Sequence, residues 1–424
     1  SLATSLAGIS QGPAYAAIAV PDEPDCAIAV CDYNYFVSKL DFSRREQEGK
    51  VFKSYLTQPN GGRKSGFPIT AGLGPYNSTW VEHDGARWLY FAGYTGMSRL
   101  KYSENGKRLE GFSTDVFHAR LSPRPLDGVA RESVKDYLHI LPTLGGRLID
   151  FGRGRVGRGG GAYSAGLEIF DPKTLGASQT SVFLNRCYGL FTPVHRLVFD
   201  PTNDEFRQEI FAASGTIRPE YLADIDDVAL RPANHDPKIF TYACATDGRL
   251  RDLFGFSLPP LANDRDNSSN LAFSPCRQYL VALQGGDRLL TYDVGRRRFI
   301  DGLQLSSADG KPVHTLEFSR PSATIWTAPN GQIFFHAALE GEHAKRVSFF
   351  EVEVARDGRL RVNPHLTIAW DKGSSIREFS DIVRCFLPDL TRRDGSYDLV
   401  LGSISENGGQ PNVRVIPDFI PAAK

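Results

Sequence analysis

The sequence predicts an all-β chain: a β-propeller of eight blades, with seven as the close alternative, each blade a four-stranded antiparallel sheet. Three observations carry this. Gly (41) and Pro (26) are spread through the chain between short β-rich runs, the punctuation of many strands and turns. Long amphipathic helical patterns are scarce, the best being Gly128 to Leu138. A strand motif also recurs: Pro193-Val-His-Arg-Leu-Val-Phe-Asp returns from Pro312 as Pro-Val-His-Thr-Leu-Glu-Phe-Ser. In each copy His, Leu and Phe stand two apart and share one face of an extended strand. The other face carries a mixed stripe, so an inner strand covered on both faces is expected.

The pattern apolar-x-apolar-x-Pro then divides the chain into units. The first holds Tyr15 to Pro21, Cys26 to Val30 and Phe36 to Phe42. The second starts at Asn77, with Arg87 to Ala92 and Met97 to Tyr102, and Asn105-Gly106 supplies a hairpin turn. The third starts near Asp136, with Arg147 to Phe151, Leu167 to Phe170 and Ser181 to Leu184. The fourth starts at His195, with Glu209 to Ala213. The fifth starts at Asp226, with Lys238 to Ala243 and Leu250 to Leu258. The sixth starts at Ser269, with Gln278 to Leu283, Arg288 to Asp293 and Phe299 to Leu305. The seventh starts at His314, with Gln332 to Leu339, Arg346 to Val354 and Leu360 to Ile368. The last starts near Asp381, with Tyr397 to Ser403 and Asn412 to Phe419.

Steps between starts run from 31 to 67 residues, against roughly 40 to 60 for four-stranded propeller units. The short step, His195 to Asp226, marks either an abridged unit or two parts of one blade. One domain over 1–424 is expected, with its ring closed between the N- and C-terminal strands, which removes the open edge. Two β-sandwiches are the competing arrangement; the regular repetition argues against them.

Lys plus Arg and Asp plus Glu are 49 each, so no global field draws nucleic acid or an anionic membrane. No apolar run approaches the ~20 residues of a membrane span. Six cysteines include no C-x-x-C, which leaves zinc ribbons, redox dithiols and haem attachment unsupported. Cys26 and Cys31 are five apart and face opposite ways on one strand. Residue 1 is Ser and the single Met is Met97, consistent with signal-peptide cleavage or with trimming. With the sequons at Asn77 and Asn267, the expectation is a secreted or periplasmic protein.

The aligned strand starts are Tyr15, Asn77, Asp136, His195, Asp226, Ser269 and His314, with Asp381 one place off. If they line a channel, His195, His314 and Asp226 would ligate a divalent metal. The plainer alternative is that channels contain water and polar residues suit it. A second pair, His118 and His139, lies in apolar strand-like contexts with Arg120 and Tyr137 close by. A neutral His with Tyr and Arg suits proton abstraction beside a uronate carboxylate, so His118, His139, Tyr163 and Arg153 form the candidate catalytic set. Propeller lyases supply the analogy of fold only.

Gly152 to Gly161 contains a formal G-x-G-x-x-G, but its continuation is not helical and no P-loop lysine follows, so no nucleotide is expected. As a basic loop it brings Arg147, Arg153, Arg155 and Arg158 together to grip carboxylate or sulfate groups, with Asn77 added as a substrate contact. The G-x-S-x-G at Gly8 lacks its strand-turn-helix setting. Asp264 to Ser268 lacks the glycine and glutamate of a calcium loop, and Asp224, Asp226 and Asp227 read as a surface turn. Trp80, Trp88, Trp326 and Trp370 are core residues or a sugar platform.

Two functions follow. One is an extracytoplasmic enzyme of lyase type, acting on a small-molecule or polysaccharide substrate that is an anionic carbohydrate or related to one. The other is a non-catalytic binding or assembly subunit that offers its loops to a protein partner. A cofactor-dependent oxidoreductase is a distant third.

Overall fold

The computed structural model describes residues 14–31, 36–41, 53–57, 77–92, 97–103, 108–110, 135–156, 162–174, 177–184, 188–215, 238–246, 250–257, 269–284, 288–305, 325–338, 346–369, 383–388, 395–403 and 412–422. These residues form twenty-seven strands in seven small antiparallel sheets. Two compact units result: Ser1–Arg120 with Asp136–Ile140 and Asp371–Lys424, and Leu121–Lys135 with Leu141–Trp370.

The first unit holds three sheets. β1 (Ala14–Val20), β2 (Glu23–Cys31), β3 (Phe36–Asp41) and β4 (Lys53–Thr57) pair in chain order. So do β5 (Asn77–His83), β6 (Ala86–Ala92), β7 (Met97–Ser103) and β8 (Arg108–Glu110). Ser103 faces Arg108 across the hairpin expected at Asn105-Gly106. The last sheet is β25 (Val383–Pro388), β26 (Tyr397–Ser403) and β27 (Asn412–Ile420). β1 lies beside β25 and β5. Side chains lock the first hairpin to its neighbour: Trp80 Nε1 donates to Ala19 O (2.8 Å), and Arg87 donates to Pro21 O (3.1 Å) and Asp22 (2.9 Å).

The second unit carries four sheets. β9 (Lys135–Pro142), along which the chain passes from one unit to the other, is followed by β10 (Leu148–Val156), β11 (Ala162–Phe170) and β12 (Ala177–Leu184). Lys135 to Leu138 is therefore strand and not helix; the alternation Tyr137, His139, Leu141 has the period of two that a strand needs. Next come β13 (Tyr188–Asp200), β14 (Glu205–Gly215), β15 (Lys238–Cys244) and β16 (Leu250–Ser257). The fourth and fifth expected units are thus one sheet: β14 pairs directly with β15, Gln208 opposite Cys244. The count is seven sheets among the described residues, and Asp226 lies outside those residues.

The cleanest sheet is β17 (Ser269–Phe273), β18 (Tyr279–Gln284), β19 (Arg288–Asp293) and β20 (Arg298–Gln304). β18, Tyr-Leu-Val-Ala-Leu-Gln, is buried at every position, as its unbroken apolar run requires. In the next sheet the first described strand is β21 (Trp326–Thr327), not the expected His314 strand; Pro312 to Ser319 lies outside the described residues. β22 (Ile333–Ala338), β23 (Arg346–Val354) and β24 (Leu360–Ala369) complete it. Three apolar clusters fill the spaces between successive sheets. One joins Ile149 and Ile169 to Ile210 and Tyr242, the second Phe211 to Leu271 and Leu280, the third Val281 and Leu289 to Ile333 and Phe335.

The feature common to all seven sheets is the first hairpin. Each turn carries a residue at positive φ, and one of them carries two: Asp22, Asp84 with Gly85, Gly146, Asp204, Arg277, Gly331 and Gly395. Where hydrogen bonds define the turn, the same residue closes it: Gly146 N to Thr143 O (3.1 Å), Arg277 N to Ser274 O (2.8 Å) and Gly331 N to Ala328 O (2.9 Å). The loops 144–146 and 329–331 are three residues long, a type I turn followed by a left-handed residue, which Gly and Asp adopt most readily.

Candidate functional site

His118, Arg158, His314, Asp226, Trp370, Asp264 to Ser268 and Gly8 to Gly12 lie outside the described residues. Asn77 opens β5, and His139 stands in β9. Arg153, Arg155 and Tyr163 fall on one hairpin. Arg155 is the register partner of Tyr163, and Arg153, two places along the same strand, is the partner of Ala165. Gly152 and Gly154 are strand residues, so Gly152 to Val156 extends β10 and is not part of a loop. Arg147 is engaged elsewhere: its Nη1 donates to Asp171 (2.7 Å). Burial alone would raise the Asp171 carboxyl pKa, but the N–H groups of Lys173 and Thr174 and the Arg147 charge outweigh it and hold the group below its ordinary value.

His195 is not a strand start. β13 begins seven residues earlier, at Tyr188, and His195 pairs with Ile210 in its middle. Its Nδ1 is buried with no hydrogen-bond partner. Burial first, and Arg277 second, push the imidazole below the ordinary histidine pKa, so it is neutral at pH 7. Arg277 Nη1 donates to His195 O (3.2 Å), and Arg196 Nη1 returns a bond to Arg277 O (3.0 Å). Arg196 (2.8 Å) and Arg207 (3.0 Å) both hold the buried Glu209. Three guanidiniums to one carboxylate make a local field that opposes a divalent cation. Among the described residues no three His, Cys, Asp or Glu side chains gather to hold a metal.

The tryptophans are packing residues where they are described. Trp80 bonds Ala19, Trp88 stacks on His83 at 5.0 Å, and Trp326 stacks on Phe334 at 5.2 Å. Cys276 is an exposed free thiol. No helix among the described residues is long and apolar enough to cross a membrane.

An exposed apolar patch in the second unit is the feature the sequence reading missed. Leu197 (51%), Phe199 (48%), Phe206 (55%) and Leu144 (37%) are four of the five exposed large apolar side chains among the described residues. The inner strand of the repeated motif was expected to be covered on both faces; at this end it is open. The register brings the group together. Leu197 and Phe199 stand two apart on β13, Phe206 is the partner of Phe199, and Gln208 is the partner of Leu197. The Phe199 and Phe206 rings meet edge to face at 5.4 Å. The buried Gln208 side chain draws in the neighbouring turn, accepting from Leu144 N (3.3 Å) and donating to Pro142 O (3.0 Å). Alternation along the motif shows that His195, Leu197 and Phe199 share a face, but not that this face ends uncovered.

No family model matches the chain. No curated protein matches it either. Two solved structures are similar in overall form. One is Sqt1 of Saccharomyces cerevisiae, at 10% identity over 96% of this chain and 97% of that one, with a TM-score of 0.49. The other is a protein from Lactobacillus plantarum, at 14% identity over 84% of this chain and 85% of that one, with a TM-score of 0.47.

Proposed function

We propose that the chain is a non-catalytic binding or assembly subunit, its sheets the blades of a propeller, and that the apolar patch at the end of β13–β14 seats a protein partner. The patch is the observation that carries this reading. Contiguous exposed apolar surface marks interaction sites on soluble proteins, and covering four side chains that are now about half exposed contributes on the order of 1 kcal/mol each. Seven sheets following one another in the chain, with β1 beside β25, support the ring. A second copy of the chain is the poorer occupant. The adjoining turn carries Asp200, Asp204 and Glu205, and two such rims would repel across a symmetric interface.

A photoreactive phenylalanine analogue placed at Phe206 should yield one discrete crosslinked species in the native host, heavier than a dimer of the chain or lighter than it. Phe199→Ser should abolish that species. A crosslink at the mass of two copies, or the same yield from a control at Arg361, would end the proposal.

Lyase chemistry is the second reading, favoured by the register that sets Arg153, Arg155 and Tyr163 on one hairpin. There Tyr163 would protonate the leaving oxygen and Arg153 would hold the carboxylate. Release of unsaturated uronate products, lost in Tyr163→Phe, is its test.

A further inference from the structure

The exposed end of the second unit continues from the apolar patch into a row of arginines. Arg277 closes the β17–β18 turn and bonds the β13 backbone beside Leu197. The β19–β20 turn follows it, since Val294 N donates to Gln278 O (3.1 Å), and carries exposed Arg296, Arg297 and Arg298, Arg296 standing 3.9 Å from the buried Asp293 carboxylate. The β23–β24 turn is docked alongside. Tyr279 Oη donates to Arg356 O (2.8 Å), Thr291 Oγ1 to Gly358 O (2.8 Å), and Leu360 N to Asp301 (2.9 Å). That turn adds exposed Arg356; its Arg359 is paired with Asp357 at 2.7 Å, and Arg361 stands opposite Glu353. The chain is neutral overall, yet this end is locally basic.

Backbone conformation gives a second observation. Among the described residues six other than glycine have positive φ: Asp22, Asp84, Asp204, Asp418, Arg277 (57°) and Arg297 (54°). Aspartate tolerates this region well; a long side chain does not. Both arginines in that conformation sit at the same end of the same sheet. Strain kept at a surface position points to a use for the side chain.

We infer that this arginine row is a binding site for a short acidic, apolar-flanked segment of a protein partner, its carboxylates held by Arg277, Arg296, Arg297, Arg298 and Arg356. It rests on the apolar-patch reading only for the apolar half of the segment. Guanidinium forks match carboxylates in bidentate geometry, and every exposed cation on these turns is arginine. Exposed Phe299 lies within the row, and Leu197 and Phe199 continue it. A single-stranded nucleic acid would want a series of stacking rings along a basic groove, whereas Phe299 is the one exposed aromatic in the row among the described residues. Beyond the patch, Asp200, Asp204 and Glu205 repel a long polyanion and leave room for a short acidic run.

The probe is a fluorescent peptide with a run of glutamates followed by two leucines, compared with its all-glutamine counterpart, oligothymidylate and a heparin oligosaccharide. The glutamate peptide should bind by anisotropy, weaken with salt, and exceed the glutamine peptide about tenfold. Arg297→Gly, and separately Arg298→Ser with Arg356→Ser, should each weaken it several-fold. Arg297→Gly should also raise the thermal midpoint by about a degree or two, because it relieves the left-handed backbone; a merely structural arginine would lower it. Equal binding of the two peptides, unchanged affinity in both variants, or tighter binding of oligothymidylate or heparin would overturn the inference. Phe199→Ser separates the two readings. If it leaves both the glutamate and the leucine contributions intact, the patch fails while the arginine row stands.

Discussion

Gly358 carries as much structure as a large core residue. Its φ is +87°, and an added Cβ would lie 2.8 Å from Tyr279 Cε1 and 2.9 Å from Ile300 Cγ2. Left-handed strain of about 1–2 kcal/mol and overpacking of about 1–3 kcal/mol then act together. Gly358→Ala should destabilise by about 2–5 kcal/mol in urea unfolding. Gly395→Ala is the control: φ is +78° but nothing lies within 4 Å, so only the backbone cost of about 1–2 kcal/mol applies. His195 gives a pH prediction. Its folded-state pKa lies below the ordinary 6.5, so the native state binds fewer protons than the unfolded state. Stability therefore rises with pH through the window just below 6.5 and is lost as pH falls through it. His195→Gln should flatten the urea midpoint between pH 7 and about 5. Carboxylates such as Asp171 act lower, as pH falls below the ordinary 3.8.

At the scale of strands, Glu209 ties β13 to β14. Its side chain is 6% exposed and holds Arg196 and Arg207. Glu209→Gln leaves two guanidiniums without a counter-charge; because both are partly in water, the expected loss is about 2–3 kcal/mol, below the range for a fully buried pair. A cycle with Arg196→Met, read by urea unfolding, should return a coupling of the same sign. Strand boundaries were largely legible: β5, β6, β7, β18 and β19 fall within a residue or so of the runs read from alternation and turn residues. The short fourth unit was not. The step from His195 to Asp226 suggested two starts, but pairing of β14 with β15 is a long-range choice that period-two patterning does not encode. In the seventh unit β22, β23 and β24 fall where they were expected, and the His314 strand lies outside the described residues. Pro312 to Ser319 copies the β13 motif in sequence, while Trp326–Thr327 has the tight turn, Ala328-Pro-Asn-Gly-Gln, that delivers a partner to β22.

For the molecule as a whole, the first and last sheets belong to one unit, with β1 lying beside β25 and β26. Removing residues 371–424 takes away the neighbour of β1, and urea unfolding of that shortened chain should lose the transition belonging to the first unit while the second keeps its own. The seven first hairpins explain why a chain with almost no strong motif repeats so evenly. A left-handed residue stands in each of these hairpins, and Gly or Asp supplies it in six of the seven. Those turns, and the apolar runs they punctuate, were written locally, because backbone preference and alternation act over a few residues. Exposure was not. Leu197 and Phe199 differ from buried leucines and phenylalanines in nothing but what fails to cover them, and the arginines of three separate turns become one surface only through packing between sheets. Those are properties of distance in space, which residues adjacent in sequence do not specify.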